Sequence, residues 1–77
     1  MTLGQRLKYF RKKARKSQKS IEKEIGIPQA TLSGWENDNS EPTVSDIVKL
    51  AKAFYLQPYK LLEDPSDENE SNSKLAG

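Results

Sequence analysis

Apolar residues recur along this chain at helical spacing, and nowhere at the alternating spacing of a strand. Leu3, Leu7, Phe10 and Ala14 fall at i, i+4, i+7 and i+11, with charged residues on the other faces. Ile47, Leu50, Ala51 and Phe54 keep i, i+3, i+4, i+7, the strongest amphipathic signal in the sequence. Ile21 and Ile25 stand four apart between them, followed by Ala30, Thr31, Leu32 and Trp35. Gly26, Pro28, Pro42, Pro58 and the polar run Asn37-Asp38-Asn39-Ser40 interrupt these stripes, so no helix can be long. The pattern predicts an all-α bundle of five short helices with Ile21, Ile25, Leu32, Ile47, Leu50 and Phe54 in its core. Trp35 is read as packing there too.

The punctuation fixes the expected boundaries. Thr2 is a candidate N-cap for the first helix and Ser17 for the second, whose polar side carries Glu22 and Glu24. Gly26 reads as the stop of the second helix, and four residues of turn lead to the third. Pro28 suits the first turn of that third helix, over about 28–36, because its missing N–H costs nothing there. Ser45 is expected to cap the fourth helix, and Pro58 to open a fifth of one or two turns through Tyr59, Leu61 and Leu62. From Asp64 the chain turns acidic and polar, with nothing apolar to bury from Pro65 to Ser73. A compact domain over 1–63 and a disordered acidic tail or linker over 64–77 follow from this composition.

The chain has 77 residues with no Cys and no His, which removes disulfides, Cys/His metal sites, thiol nucleophiles and imidazole acid–base catalysis together. At this size about 60% of the unfolded surface is hidden, so apolar packing alone must supply roughly 3–5 kcal/mol of stability. The glycines Gly4, Gly26, Gly34 and Gly77 are isolated, so no phosphate-cradling loop is written in the sequence. The expectation is a protein that is not an enzyme and needs no metal and no cofactor. No apolar run approaches the roughly 20 residues of a membrane span. Lys8, Arg11, Lys12 and Lys13 stand where a secretion signal would be apolar. A soluble, cytoplasmic binding module is the class left.

Charge narrows the partner. The net charge of +2 conceals eight basic and no acidic residues in the first twenty, against four carboxylates and one lysine from Asp64 onward. A basic end beside an acidic end suits a polyanion-facing surface with a solvated tail.

The stretch from Ser17 to Pro42 has the layout of a helix-turn-helix. Together with Leu3-Gly4, Arg11, Ser17-Gln18, Ile21 to Gly26, Leu32-Ser33, Trp35-Glu36-Asn37, Pro42, Ile47 to Phe54 and Leu61-Leu62, it resembles the Cro/lambda-repressor-like (XRE-type) helix-turn-helix family of phage repressors and bacterial regulators. The resemblance covers roughly residues 2–63 and implies a lambda-repressor-like fold whose third helix enters the major groove of double-stranded DNA. It assigns base contacts to Gln29, Ala30, Thr31, Ser33 and Gly34. Phosphate contacts fall to Ser17, Gln18, Lys19, Asn37 and Arg11, and an ion pair of Arg11 with Glu36 would join the first and third helices. Physical chemistry agrees at two points: helix N-termini attract phosphate, and a glutamine amide can pair bidentately with adenine.

The sequence departs from the family pattern at Asp38 and Arg15, where glycine is usual, and at Lys16, where an apolar residue is usual. Asp38 and Glu41 are expected to set negative charge in a loop the family often turns toward phosphates. The implied function is a sequence-specific repressor, probing a palindromic operator as a symmetric dimer that is weak or absent free in solution. Tyr55, Leu56, Pro58 and Tyr59 form the candidate dimer surface. An antitoxin, a restriction-modification controller, or a module binding a partner regulator rather than DNA are the alternative functions.

Overall fold

The computed structural model describes residues 1–65, so the acidic tail expected over 64–77 lies outside the described residues from position 66 on. Four α-helices follow in order, α1 (Leu3–Lys13), α2 (Gln18–Ile25), α3 (Gln29–Glu36) and α4 (Val44–Ala53). No strand occurs among the described residues. The fifth element, Pro58–Leu62, is a 3-10 turn rather than an α-helix. Lys60 N donates to Gln57 O at 3.0 Å and Glu63 N to Lys60 O at 3.3 Å, both three residues back. Five residues beginning with a proline are too few to nucleate α-helical bonding.

Reciprocal side-chain bonds start three of the helices. The Thr2 hydroxyl accepts from Gln5 N at 3.1 Å while the Gln5 carbonyl oxygen accepts from Thr2 N at 2.9 Å. Ser17 and Ser20 make the same exchange at 3.0 and 2.9 Å. For α4 the cap is Thr43, not Ser45, which lies exposed inside the helix. Thr43 Oγ1 accepts from Asp46 N, and the Asp46 carboxylate accepts from Thr43 N, each at 3.1 Å. The Thr43-x-x-Asp46 spacing is the signal that separates the two hydroxyls, since Ser45 has no partner three residues on. α2 stops at Gly26, whose φ of 76° is the left-handed turn glycine adopts without strain. The turn into α3 holds three residues rather than four, Gly26, Ile27 and Pro28, with Ile27 buried as a plug.

Each of the five elements sends one large, fully buried side chain into the shared core: Leu7, Ile21, Leu32, Leu50 and Leu61. Each such burial stabilises by about 1.5–3 kcal/mol relative to exposure. Phe10, Trp35, Ala51 and Phe54 surround them, while Ile25 and Ile47, expected in the core, are only half-buried against it. Arg6 ties the last turn to α1, its Nε donating to Leu61 O at 2.9 Å and its guanidinium reaching Asp64 at 3.3 Å. Asp64, the first residue of the expected tail, is therefore held against the helical domain.

α1 and α3 touch at Gly4. A Cβ there would lie 2.7 Å from both the Glu36 carbonyl oxygen and Asp38 Oδ1, too close for any side chain. Asp38 takes the left-handed conformation, with φ of 60°, after α3. Its carboxylate turns back onto α1, accepting from Gly4 N at 3.0 Å and from Thr2 Oγ1 at 2.6 Å. The charge expected to repel phosphate from this loop is thus directed at the N-terminus of α1.

Candidate nucleic-acid interface

The two faces of α3 do different work. Leu32, Trp35 and Glu36 point into the fold, and all three are buried. Gln29, Ala30, Thr31 and Asn37 are exposed, with Ser33 and Gly34 half-exposed between them. Positions 30, 33, 34 and 37 fall at i, i+3, i+4 and i+7, so they form one outward stripe. Its side chains are short, which lets the helix backbone come close to whatever it faces.

Behind this stripe runs a chain of polar contacts linking α1, α2 and α3. Arg11 clasps Glu36 in two bonds, Nε to Oε2 at 2.7 Å and Nη2 to Oε1 at 3.0 Å. The Glu36 side chain is 2% exposed and the Arg11 side chain 9%, so the pair sits in low-dielectric surroundings. Arg11 Nη1 donates to Lys16 O at 2.9 Å, closing the turn after α1. Gln18 Nε2 donates to Glu36 Oε1 at 3.1 Å, and Gln29 Nε2 donates to Gln18 Oε1 at 3.4 Å. The residue opening α2 and the residue opening α3 are therefore fixed to one buried carboxylate.

The first helix and its turn carry the basic run, but part of that run faces inward. Arg11 is committed to Glu36 and the turn. Lys16 Nζ lies 2.8 Å from both Glu24 carboxylate oxygens, donates to Ala53 O at 2.7 Å, and stands 4.6 Å from the Tyr55 ring centre. The Glu24 carboxylate, with help from Tyr55 and against partial burial, raises the Lys16 pKa above its ordinary 10.5. This lysine thus clips α2 to the end of α4, where a terminal helix carbonyl needs a donor. No local sequence pattern marks the Lys16–Ala53 and Asp38–Gly4 contacts, because the partners lie 37 and 34 residues apart along the chain. Lys12, Arg15 and Lys19 remain exposed, as does Ser17 at the start of α2. Arg15, with φ of 60°, occupies the left-handed position for which glycine is the usual choice.

The helix-turn-helix family pattern matches residues 7–59, from within α1 into the start of the last turn, and takes in the contacts of Arg11, Lys16, Gln18, Gln29 and Glu36. The chain belongs to the helix-turn-helix family. This helix-turn-helix chain is 32% identical over 68 residues to the HTH-type transcriptional regulator DicA of Escherichia coli strain K12, covering 88% of this chain and 50% of that protein. It is likewise 32% identical over 68 residues to repressor protein C2 of Salmonella phage P22, covering 87% of this chain and 32% of the repressor. A third relative is the HTH-type transcriptional regulator ImmR of Bacillus subtilis strain 168, 32% identical over 74 residues, or 94% of this chain and 58% of that protein. The chain thus spans about a third to three fifths of the length of these curated relatives. No solved structure matches it significantly. No helix among the described residues is long and apolar enough to cross a membrane.

Proposed function

We propose that this helix-turn-helix chain is the sequence-specific, double-stranded-DNA-binding part of a transcriptional repressor, acting in the cytoplasm and using no cofactor. The exposed side of α3 carries the reading: Gln29, held from behind, stands at its start, and the stripe of Ala30, Ser33, Gly34 and Asn37 beside it has side chains too short to keep a groove wall away. Docked in the major groove, α3 presents Gln29, Ala30, Thr31, Ser33 and Gly34 to base edges. Gln29 pairs with adenine, and Ala30 or the Thr31 methyl packs on thymine. The free N–H groups at the start of α2, the second amide hydrogen of Gln18, and the Ser17, Lys19 and Asn37 side chains face phosphates. Arg11, buried against Glu36, supports this surface from within rather than contacting phosphate itself. The names of the relatives, two regulators and a phage repressor, support the same reading.

Selection of bound sequences from random duplex DNA tests the proposal. Enrichment of a defined, palindromic site is the expected result, with affinity falling steeply between about 50 and 200 mM salt as displaced counterions demand. Recovery of no enriched sequence, or affinity indifferent to salt, would overturn it.

A further inference from the structure

Glu36 does not touch the outward face of α3, yet it fixes which way the amide on that face points. An ionised carboxylate held by Arg11 can only accept. Gln18, 3.1 Å away, must therefore turn its NH2 group toward Glu36, which leaves its carbonyl oxygen facing α3. Gln29 meets that oxygen at 3.4 Å and must donate to it. One N–H of Gln29 is spent in this way. What remains for a partner is one acceptor, Oε1, and one donor, the second N–H.

That remainder has chemical consequences. Adenine offers one acceptor and one donor in the major groove, N7 and the N6 amino group, and matches it. Guanine offers two acceptors, N7 and O6, and needs two donors. A glutamine with both N–H groups free can swing its NH2 toward N7 and O6, but one anchored to Gln18 cannot. We infer that Glu36 is a specificity-determining positioning residue: acting through Gln18, it sets the polarity of the Gln29 amide and thereby selects adenine over guanine at the base Gln29 faces. The inference rests on the DNA-binding reading above and goes beyond it, since the carboxylate that chooses the base lies buried behind the reading surface.

The test compares sites selected from random duplex DNA by the unaltered chain and by three variants. Gln29→Ala marks the base position concerned, as the one whose preference disappears. At that position the unaltered chain is expected to favour adenine over guanine by about five- to 150-fold, the range of one good bidentate pair. Gln18→Met keeps the side-chain length and the Arg11–Glu36 pair but removes both amide contacts, and Glu36→Gln removes the enforced polarity. Each is expected to lower the adenine preference to about threefold or less while leaving neighbouring positions unchanged. Gln18→Met decides the matter even where Glu36→Gln fails to fold. If Gln18→Met weakens all sequences equally and keeps the adenine preference, the inference is overturned and the DNA-binding reading stands. If the unaltered chain enriches no sequence, both fall.

Discussion

The carboxylate of Asp38, just beyond the C-terminal end of α3, caps the first helix by accepting from Gly4 N at 3.0 Å. A negative charge at a helix N-terminus is favoured by the helix dipole as well as by the hydrogen bond. Asp38 also holds a φ of 60°, which aspartate and asparagine tolerate better than alanine. Asp38→Ala loses the cap and strains the turn, and is expected to cost about 1–3 kcal/mol. Asp38→Asn keeps an acceptor and the turn, and is expected to cost less than half as much. Thermal or urea unfolding of the two variants checks the order.

At the same junction, Gly4→Ala drives a methyl group into the Trp35 and Glu36 carbonyls and the Asp38 carboxylate. Backbone oxygens cannot rotate away, so α1 and α3 must part. A loss of about 1–3 kcal/mol is expected from overpacking alone, and equal unfolding midpoints for the variant and the parent would refute the close approach.

Breaking the buried pair is expected to cost more than breaking the cap. Glu36→Ala strands the Arg11 guanidinium in a nearly closed site and should lower stability by about 3–5 kcal/mol. The double change Arg11→Met with Glu36→Leu removes both charges and should recover a large part of that loss. A double variant no more stable than Glu36→Ala would mean that the pair contributes beyond charge compensation.

Lys16 gives the fold a dependence on alkaline pH. Its pKa is raised in the folded state, chiefly by Glu24, so its contribution is fully present below the unfolded value of 10.5 and disappears as pH climbs through the folded value. The melting temperature of Lys16→Met is therefore expected to fall less steeply above pH 10.5 than that of the unaltered chain. Parallel slopes in that range would remove Lys16 as the cause.

Tyr55 and Tyr59 are 77% and 55% exposed near the end of the described domain, too small a surface for a stable dimer, which needs roughly 1,200 Å² of total buried area. The chain is expected to sediment as a monomer at micromolar concentration and to pair on two half-sites about 34 Å apart. Cooperative binding of at least about tenfold over a single half-site is the expected outcome, and Tyr59→Ser should abolish the cooperativity without weakening single-site binding. Equal affinity for one and two half-sites would show that no pairing occurs.

How far the sequence could be read depended on the reach of each signal. Thr2, Ser17 and Gly26 act within three or four residues, and their roles as caps and stop are written locally. The stripe of Leu7 and Phe10, like that of Leu50 and Phe54, needs only helical periodicity to be seen. Thr43 and Ser45 both look like caps, and only the partner at Asp46 separates them. The short last element was legible at Pro58, and its five residues beginning with a proline account for its 3-10 bonding. Asp38 looked like a departure from a family pattern that sets negative charge in a phosphate-facing loop, and Lys16 like a charge standing in for an apolar residue. Their partners, Gly4 and Ala53, lie more than thirty residues away, and charge alone does not say which way a side chain will turn.

The division of α3 into an inward face of Leu32, Trp35 and Glu36 and an outward side of Gln29, Ala30, Thr31, Ser33, Gly34 and Asn37 separates the residues that hold the fold from those that face out. Residues 30, 31 and 33 can be exchanged without opening a cavity, since none belongs to the shared core. A lineage carrying this scaffold can therefore vary the chemistry of its exposed α3 side by single, nearly neutral steps, without first stabilising the protein that presents it.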